Sequence, residues 1–260
     1  MTDRSEIEAI RALLSSKPRP AGWAERRQRL DEVGSAWPVA EDVKLGAVAL
    51  DGIPGEWSIA PGSDANRVLM FFHGGGYCSG SIASHRRMVT EAGRCAGART
   101  LAVGYRLAPE HPFPAAFDDA LVAWRFLRRQ GIAAARIAVG GDSAGGGLTA
   151  ALINRMRASG DEQPACAWLV SPWTDLTMSG STMASKDAAD PLIHKPYLED
   201  LATAYLPANT ASSTKVSSEP PCTSTGGNPR KSAKSADTRG SFRSSVAGRY
   251  AVAKSSRYGL

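Results

Sequence analysis

The chain has 260 residues, of which 43% are hydrophobic and 22% charged, so it can bury one sizeable core and is neither disordered throughout nor fibrous. Its apolar runs are far shorter than the ~20 residues of a membrane-spanning helix, which argues against a membrane span. The formal net charge of +6 belongs to one end: residues 211–260 hold nine Lys or Arg against two Asp or Glu, whereas residues 1–210 hold 22 against 23.

The N-terminal residues predict a helical appendage. Two helical patterns, SEIEAIRALLSS and AGWAERRQRLDEV, begin within residues 4–31 and are separated by the helix breaker KPRP. The charged start MTDRSEIEAI lacks the apolar stretch of a secretory signal, so we expect a cytoplasmic location.

From Val43 onward the pattern predicts strands. VKLGAVALDG and EWSIAPG are joined by a Gly/Pro turn and predict a hairpin. RVLMFFHGGG is typical of a strand buried on both faces that ends in glycines.

Helices and strands then alternate. A helix is expected at about 84–96, a strand in TLAVGYRLAP and a helix at about 115–130. They are followed by the strand RIAVG, the helix LTAALINRMRA and the strand ACAWLVSPW. This order predicts an α/β protein with a mostly parallel, doubly wound sheet, in which ligands bind beyond the carboxyl ends of the strands.

The first candidate catalytic motif is Gly141-Asp142-Ser143-Ala144-Gly145, which has the form G-x-S-x-G between a predicted strand and helix. Glycines allow the tight turn that exposes the serine hydroxyl of a nucleophile elbow. The amide that opens the helix could then donate to a developing oxyanion. A Gly-rich turn of this kind also serves tight packing or phosphate binding.

The second motif is His73-Gly74-Gly75-Gly76, directly after the strand VLMFF and 70 residues before Ser143. Consecutive glycines leave backbone amides unobstructed, as an oxyanion hole requires. The alternative is a flexible turn in which His73 stabilises the loop. The two motifs in this order favour acyl-transfer chemistry.

The segments HGGGYCSG, YRLAPEHPFPAA, GDSAGG and SPWTDLT resemble the bacterial hormone-sensitive-lipase-like esterases of the α/β-hydrolase fold, which include acetyl-hydrolases and monoterpene lactone hydrolases. The resemblance runs to about residue 208. It implies that Ser143 is the nucleophile and that the amides of Gly75, Gly76 and Ala144 form the oxyanion hole. His73, Gly74 and Asp142 complete the two motifs.

The resemblance also implies a division of the chain. Residues 1–42 would form one part of a helical cap, 43–178 the hydrolase core, 179–207 a second cap segment and 208–260 a tail. Gly104 departs from the family, which usually has Asp before YRLAPE, and we expect a looser local hydrogen bond there.

The base and the acid of a catalytic triad are not found in the chain. A serine hydroxyl needs a histidine base oriented by a carboxylate, and in this fold both follow the nucleophile. Only His194 follows Ser143, and a surface or pocket-rim position is favoured for it. His85 and His111 lie in stretches that look structural, and Asp175 is a weak candidate for the acid.

Residues after about 210 do not continue the α/β pattern. They hold twelve Ser and four Thr, and too few large apolar side chains to offset chain entropy. The family's terminal strands are therefore expected to be missing. Our leading hypothesis is a frameshifted or otherwise aberrant C-terminus, and the alternative is a genuine disordered tail.

The sequence as a whole predicts a carboxylic-ester or lactone hydrolase that acts on a small molecule. No metal or cofactor is expected, because Cys78, Cys95, Cys166 and Cys222 have neither paired nor zinc-like spacing. The rival hypothesis is a non-catalytic pseudo-hydrolase that binds a ligand. A nucleic-acid-binding role for the basic tail has little support, since the tail lacks a binding motif. The oligomeric state is left open, a homodimer included.

Overall fold

The computed structural model describes residues 4–16, 18, 20–186, 190 and 192–207. Within these residues lies a sheet of six strands in the order β1-β2-β4-β3-β5-β6. β4, β3, β5 and β6 run parallel, and β2 is antiparallel to both β1 and β4. The predicted α/β class with a mostly parallel sheet is confirmed.

Each strand overlaps a segment in which the sequence predicted one, although the ends differ. Their bounds are β1, Lys44–Leu50; β2, Ile53–Ile59; β3, Asp64–Phe72; β4, Ala98–Val103; β5, Ile137–Asp142; and β6, Cys166–Val170. The hairpin of β1 and β2 closes where Leu50 pairs with Ile53. Among the described residues, β6 pairs with β5 on one edge and with no strand on the other.

Three helices cover the two faces of the sheet. Their bounds are α3, Ile82–Ala96; α4, Ala115–Arg129; and α5, Ala144–Ser159. Alternate residues of β3 point to opposite faces. Met70 and Phe72 join the large core with α4 and α5, whereas Phe71 packs with Val89 of α3. Covering on both faces explains why β3 is continuously apolar from Val68 to Phe72.

The helices outside the sheet come from both ends of the described chain. They are α1, Arg4–Ser15; α2, Trp23–Ser35; α6, Thr182–Ser185; and α7, Lys195–Tyr205. Arg26 of α2 donates to Asp200 of α7 at 2.7 Å, and its guanidinium also lies 5.7 Å from the ring centroid of Tyr197 in α7. These contacts join the two segments predicted to form a cap.

α7 is also fixed to the core. The Phe113 amide donates to the Tyr205 carbonyl at 2.8 Å, and the ring of Tyr205 stacks on that of Tyr77 with centroids 3.9 Å apart. The Cys78 thiol lies 3.8 Å from the Leu201 carbonyl oxygen, to which it donates. Burial raises the pKa of this thiol to about 12, so Cys78 is a packing group.

The strand predicted in TLAVGYRLAP is shorter than its apolar run, because β4 ends at Val103. The Gly104 amide donates to the Pro54 carbonyl at 2.8 Å, so a backbone hydrogen bond holds this position. Arg106 then binds the buried carboxylate of Asp119 on α4, with its backbone amide at 2.8 Å and Nη2 at 2.7 Å. The chain therefore turns from the strand towards the helix.

Several predictions fall outside this part of the chain. The tail, 208–260, and Cys222 lie outside the described residues, as do the side chains of Ile10, Leu13 and Leu14 in α1. No helix in the described part is long and apolar enough to cross a membrane.

Candidate active site

Ser143 occupies the sharp turn between β5 and α5. Its φ of 50° and ψ of −114° are unusual for a residue with a side chain. The Ser143 amide donates to the Val170 carbonyl at 2.9 Å, and its carbonyl accepts from the Trp173 amide at 2.8 Å. β6 and the loop after it therefore hold the strained turn in place.

The turn fits because Gly145 has no side chain. A Cβ at this position would lie 2.0 Å from the Phe72 carbonyl oxygen. The first turn of α5 can therefore approach the end of β3 more closely than any other residue would permit. This is the physical reason for the second glycine of G-x-S-x-G.

The parallel register brings the two predicted motifs together. Phe72, the last residue of β3, pairs with Gly141 of β5. The loop His73–Gly76 and the turn at Ser143 thus leave neighbouring strands at the same edge of the sheet. Both motifs contribute to one cavity.

The glycine loop adopts a backbone that favours glycine. Gly75 has a φ of 114° and Gly76 a φ of 66°. The Gly75 carbonyl is fixed, because it accepts from the Ser79 amide at 2.9 Å and from the Ser79 hydroxyl at 2.8 Å. Among the described residues, no group accepts a hydrogen bond from the amides of Gly75 and Gly76.

His73, the residue before the three glycines, stabilises this loop. Its side chain is buried, stacks on Tyr105 with ring centroids 4.2 Å apart, and lies with Nδ1 2.8 Å from the Gly74 carbonyl. Burial lowers the pKa of His73 to about 3, so the ring is neutral in ordinary buffers. The Tyr105 hydroxyl donates to the His73 carbonyl at 2.8 Å.

His85, interpreted from the sequence as structural, lies at the site. Its Nε2 is 3.0 Å from the Gly74 amide nitrogen and 3.3 Å from Asp142 Oδ2. Sequence reasoning did not find this role, because the ring belongs to the first turn of α3, eleven residues after Gly74. The sequence feature that could have indicated this role is the position of His85 near the start of the helix that follows the glycine loop.

A cavity of about 570 Å³ opens above both motifs. Its floor includes Gly75, Gly76, His85, Asp142 and Ser143. Both predicted cap segments supply most of the remaining walls. Their apolar lining residues are Leu30 and Val33 from α2, and Leu192, Ile193, Tyr197, Leu198 and Leu201 from the second segment.

The other candidates for a triad are Asp175, His194 and His111, of which only His194 lines this cavity. Asp175 is used within its own loop, where the amides and hydroxyls of Thr177 and Ser179 donate to it and lower its pKa to about 2. His194 lines the cavity at the start of α7, and His111 is exposed.

Ala144, the third predicted oxyanion donor, is the buried first residue of α5.

Comparison with known proteins supports the fold. The family model of the alpha/beta hydrolase fold matches residues 69–230, which extends beyond residue 208. An acetyl-hydrolase of Streptomyces hygroscopicus is 35% identical over 208 residues, or 77% of this chain and 68% of that protein. An ethyl acetate hydrolase of Pseudomonas putida is 45% identical over 116 residues, or 43% of this chain and 36% of that protein.

A solved structure agrees with these relatives. The crystal structure of an esterase from the bacterial hormone-sensitive lipase family is 35% identical to this chain, with a TM-score of 0.76. The match covers 79% of this chain and 70% of that one.

The fold, the strand-to-helix turn and these matches define an α/β hydrolase. Within that class, the chain belongs to the bacterial hormone-sensitive-lipase-like esterases, and the resemblance found in its motifs is confirmed.

Proposed function

We propose that this protein hydrolyses a small carboxylic ester or lactone, with Ser143 as the nucleophile and the amides of Gly75, Gly76 and Ala144 as the oxyanion hole. The observation that carries the proposal is the strained turn at Ser143 beside a glycine loop whose amides have no acceptor among the described residues. Relatives named acetyl-hydrolase and ethyl acetate hydrolase favour a short acyl group.

The reaction would proceed through an acyl-enzyme. The Ser143 oxygen attacks the ester carbonyl and loses its proton to a base, while the carbonyl oxygen becomes negative and accepts from the three amides. The carbon–oxygen bond to the alcohol then breaks, and the departing alkoxide takes up a proton. Water attacks the acyl-serine and releases the acid.

The expected rate of hydrolysis depends on whether a base accepts the proton of Ser143. Removal of the base of a serine protease costs about 10⁶-fold in turnover, and the oxyanion hole with substrate binding alone retains about 10³ to 10⁴ over water. Since the predicted triad partners are not found in the sequence, we expect slow turnover that nevertheless depends on Ser143.

The test is the hydrolysis of p-nitrophenyl acetate and p-nitrophenyl butyrate by the full chain. We expect a rate above that of the Ser143→Ala variant, which removes only the attacking oxygen. A rate equal to that of Ser143→Ala, in a protein that circular dichroism shows to be folded, would overturn the proposal.

A second candidate is a ligand-binding protein that retains the cavity without turnover. The observation that favours it is His85, whose two ring nitrogens contact the Gly74 amide and the Ser84 hydroxyl rather than the hydroxyl of Ser143. It predicts a folded chain without hydrolysis dependent on Ser143, in which short-chain esters raise the melting temperature saturably.

A further inference from the structure

One side chain links the oxyanion loop to the turn of the nucleophile. His85 of α3 contacts Gly74, which precedes the proposed oxyanion donors, and Asp142, which precedes Ser143. Its side chain is 15% exposed and lines the cavity. The role inferred below rests on the proposed function of that loop.

The neighbouring groups fix which nitrogen of His85 carries the proton. The Gly74 amide can only donate, so Nε2, 3.0 Å away, must accept with its lone pair. Nδ1 therefore carries the proton and donates to the Ser84 hydroxyl at 2.8 Å. That hydroxyl in turn donates to the Ser81 carbonyl at 2.9 Å, which completes a consistent chain.

Asp142 competes with Gly74 for the same nitrogen. Its Oδ2 lies 3.3 Å from Nε2, and a Cβ on Gly74 would lie 2.3 Å from that oxygen. The carboxylate oxygen and an unprotonated Nε2 are both acceptors, so no hydrogen bond joins them. When Nε2 gains a proton, it can no longer accept from Gly74 and can only donate to Asp142.

We propose that His85 is a positioning residue with two states. Neutral, its Nε2 anchors the Gly74 amide and holds the oxyanion loop in place. Protonated, it bonds to Asp142 instead and releases the loop. The loop would then keep the anchors at its carbonyls, where His73 contacts Gly74 and Ser79 donates to Gly75, but would lose the anchor at the Gly74 amide. Acid would therefore weaken the oxyanion hole independently of any effect on the base.

Other charged or titratable groups face His85 from each packed element. His73, with ring centroids 5.9 Å away, follows β3, and Asp31 of α2 contacts the N-cap residue Ser81. Arg29 and His194 line the same cavity from the cap side. His73 does not titrate in the range of interest, because burial lowers its pKa to about 3.

Two substitutions distinguish the role of Nε2 as acceptor for the Gly74 amide from the effect of protonating His85. His85→Gln places an amide oxygen near the position of Nε2, so it can accept from Gly74 but does not titrate. His85→Leu removes the acceptor at a similar volume. His111→Gln is the matched control, since His111 is exposed and away from the cavity.

The first readout does not require activity. In the ¹⁵N-labelled wild-type chain, NMR should show an unprotonated Nε2 and a protonated Nδ1 for His85 at neutral pH. The Gly74 amide resonance should move when His85 gains its second ring proton, and this movement should be lost in His85→Gln but not in His111→Gln. A protonated Nε2 at neutral pH, or a Gly74 resonance unaffected by the titration, would overturn the proposal.

The second readout is the rate at which a fluorophosphonate labels Ser143. Rates of two variants are compared as a ratio at each pH, so that the effect of any titrating base on the rate cancels. Loss of one oxyanion donor costs about 10² to 10³, so we expect His85→Leu to react at least about tenfold more slowly. The ratio of wild type to His85→Gln should fall as the pH is lowered. A ratio that does not change with pH would contradict the proposal. A wild type that is not labelled at all would count against the hydrolase function, while the NMR result would still decide the role of His85.

Discussion

The backbone of Ser143 is strained because a residue with a Cβ atom occupies a conformation that suits glycine. Glycine adopts a φ of 50° with a ψ of −114° without strain. A residue with a side chain, such as Ser143, typically pays about 1 to 3 kcal/mol of conformational free energy there. Glycine loses about 0.5 to 1 kcal/mol more chain entropy on folding. We therefore expect Ser143→Gly to be more stable than Ser143→Ala by about 1 kcal/mol, because the alanine variant keeps the strain.

Urea unfolding of both variants, followed by circular dichroism, measures this difference. Neither variant has the nucleophile, so the comparison isolates the backbone. Equal stabilities, or a less stable glycine variant, would show that the surrounding hydrogen bonds relieve the strain.

Some single-residue roles were accessible from sequence and others were not. Ser143 and the glycines around it follow from local backbone requirements, which a short motif records. His85 does not, because its contact with Gly74 depends on how α3 folds back over the loop. The local role of Asp175 depends on a turn in which Thr177 and Ser179 surround one carboxylate.

At the scale of elements, the connection from β4 to α4 depends on one buried carboxylate. Asp119 is 3% exposed and accepts from the backbone and guanidinium of Arg106, which is 47% exposed. Without this carboxylate the Arg106 amide loses its partner, while the guanidinium stays solvated. We expect Asp119→Ala to lower the free energy of unfolding by about 1 to 3 kcal/mol.

The neighbouring residue provides the control. Asp118 lies in the same helical turn but is exposed, so Asp118→Ala should cost less than about 1 kcal/mol through the helix dipole alone. The two variants are compared by urea unfolding. Similar losses would mean that burial of Asp119 contributes nothing particular to the connection.

The elements themselves were largely predictable, and their ends were not. β3 was recognised because a strand covered on both faces needs a continuous apolar run. β4 was overestimated, because Tyr105 is apolar enough to extend the pattern although the strand ends at Val103. The end of that strand is set by tertiary contacts to Pro54 and Asp119.

At the scale of the molecule, the tail remains a prediction. If residues after about 210 come from a wrong reading frame, sequencing of the gene across that codon should reveal another frame. That frame should encode an aspartate motif and then a histidine within terminal strands. If no frame encodes them, the chain as written is the product, and the ligand-binding alternative becomes the better hypothesis.

The contact between α7 and the glycine loop bears on how this enzyme could be altered. A Cβ at Gly76 would lie 2.4 Å from Leu201, so the helix that lines the substrate cavity also rests on the proposed oxyanion loop. Exchanging this segment to obtain a new substrate preference would therefore change the support of the reaction centre as well. The segments predicted as cap and core would therefore not be interchangeable modules, and we expect that a graft has to retain Leu201 to preserve the proposed turnover.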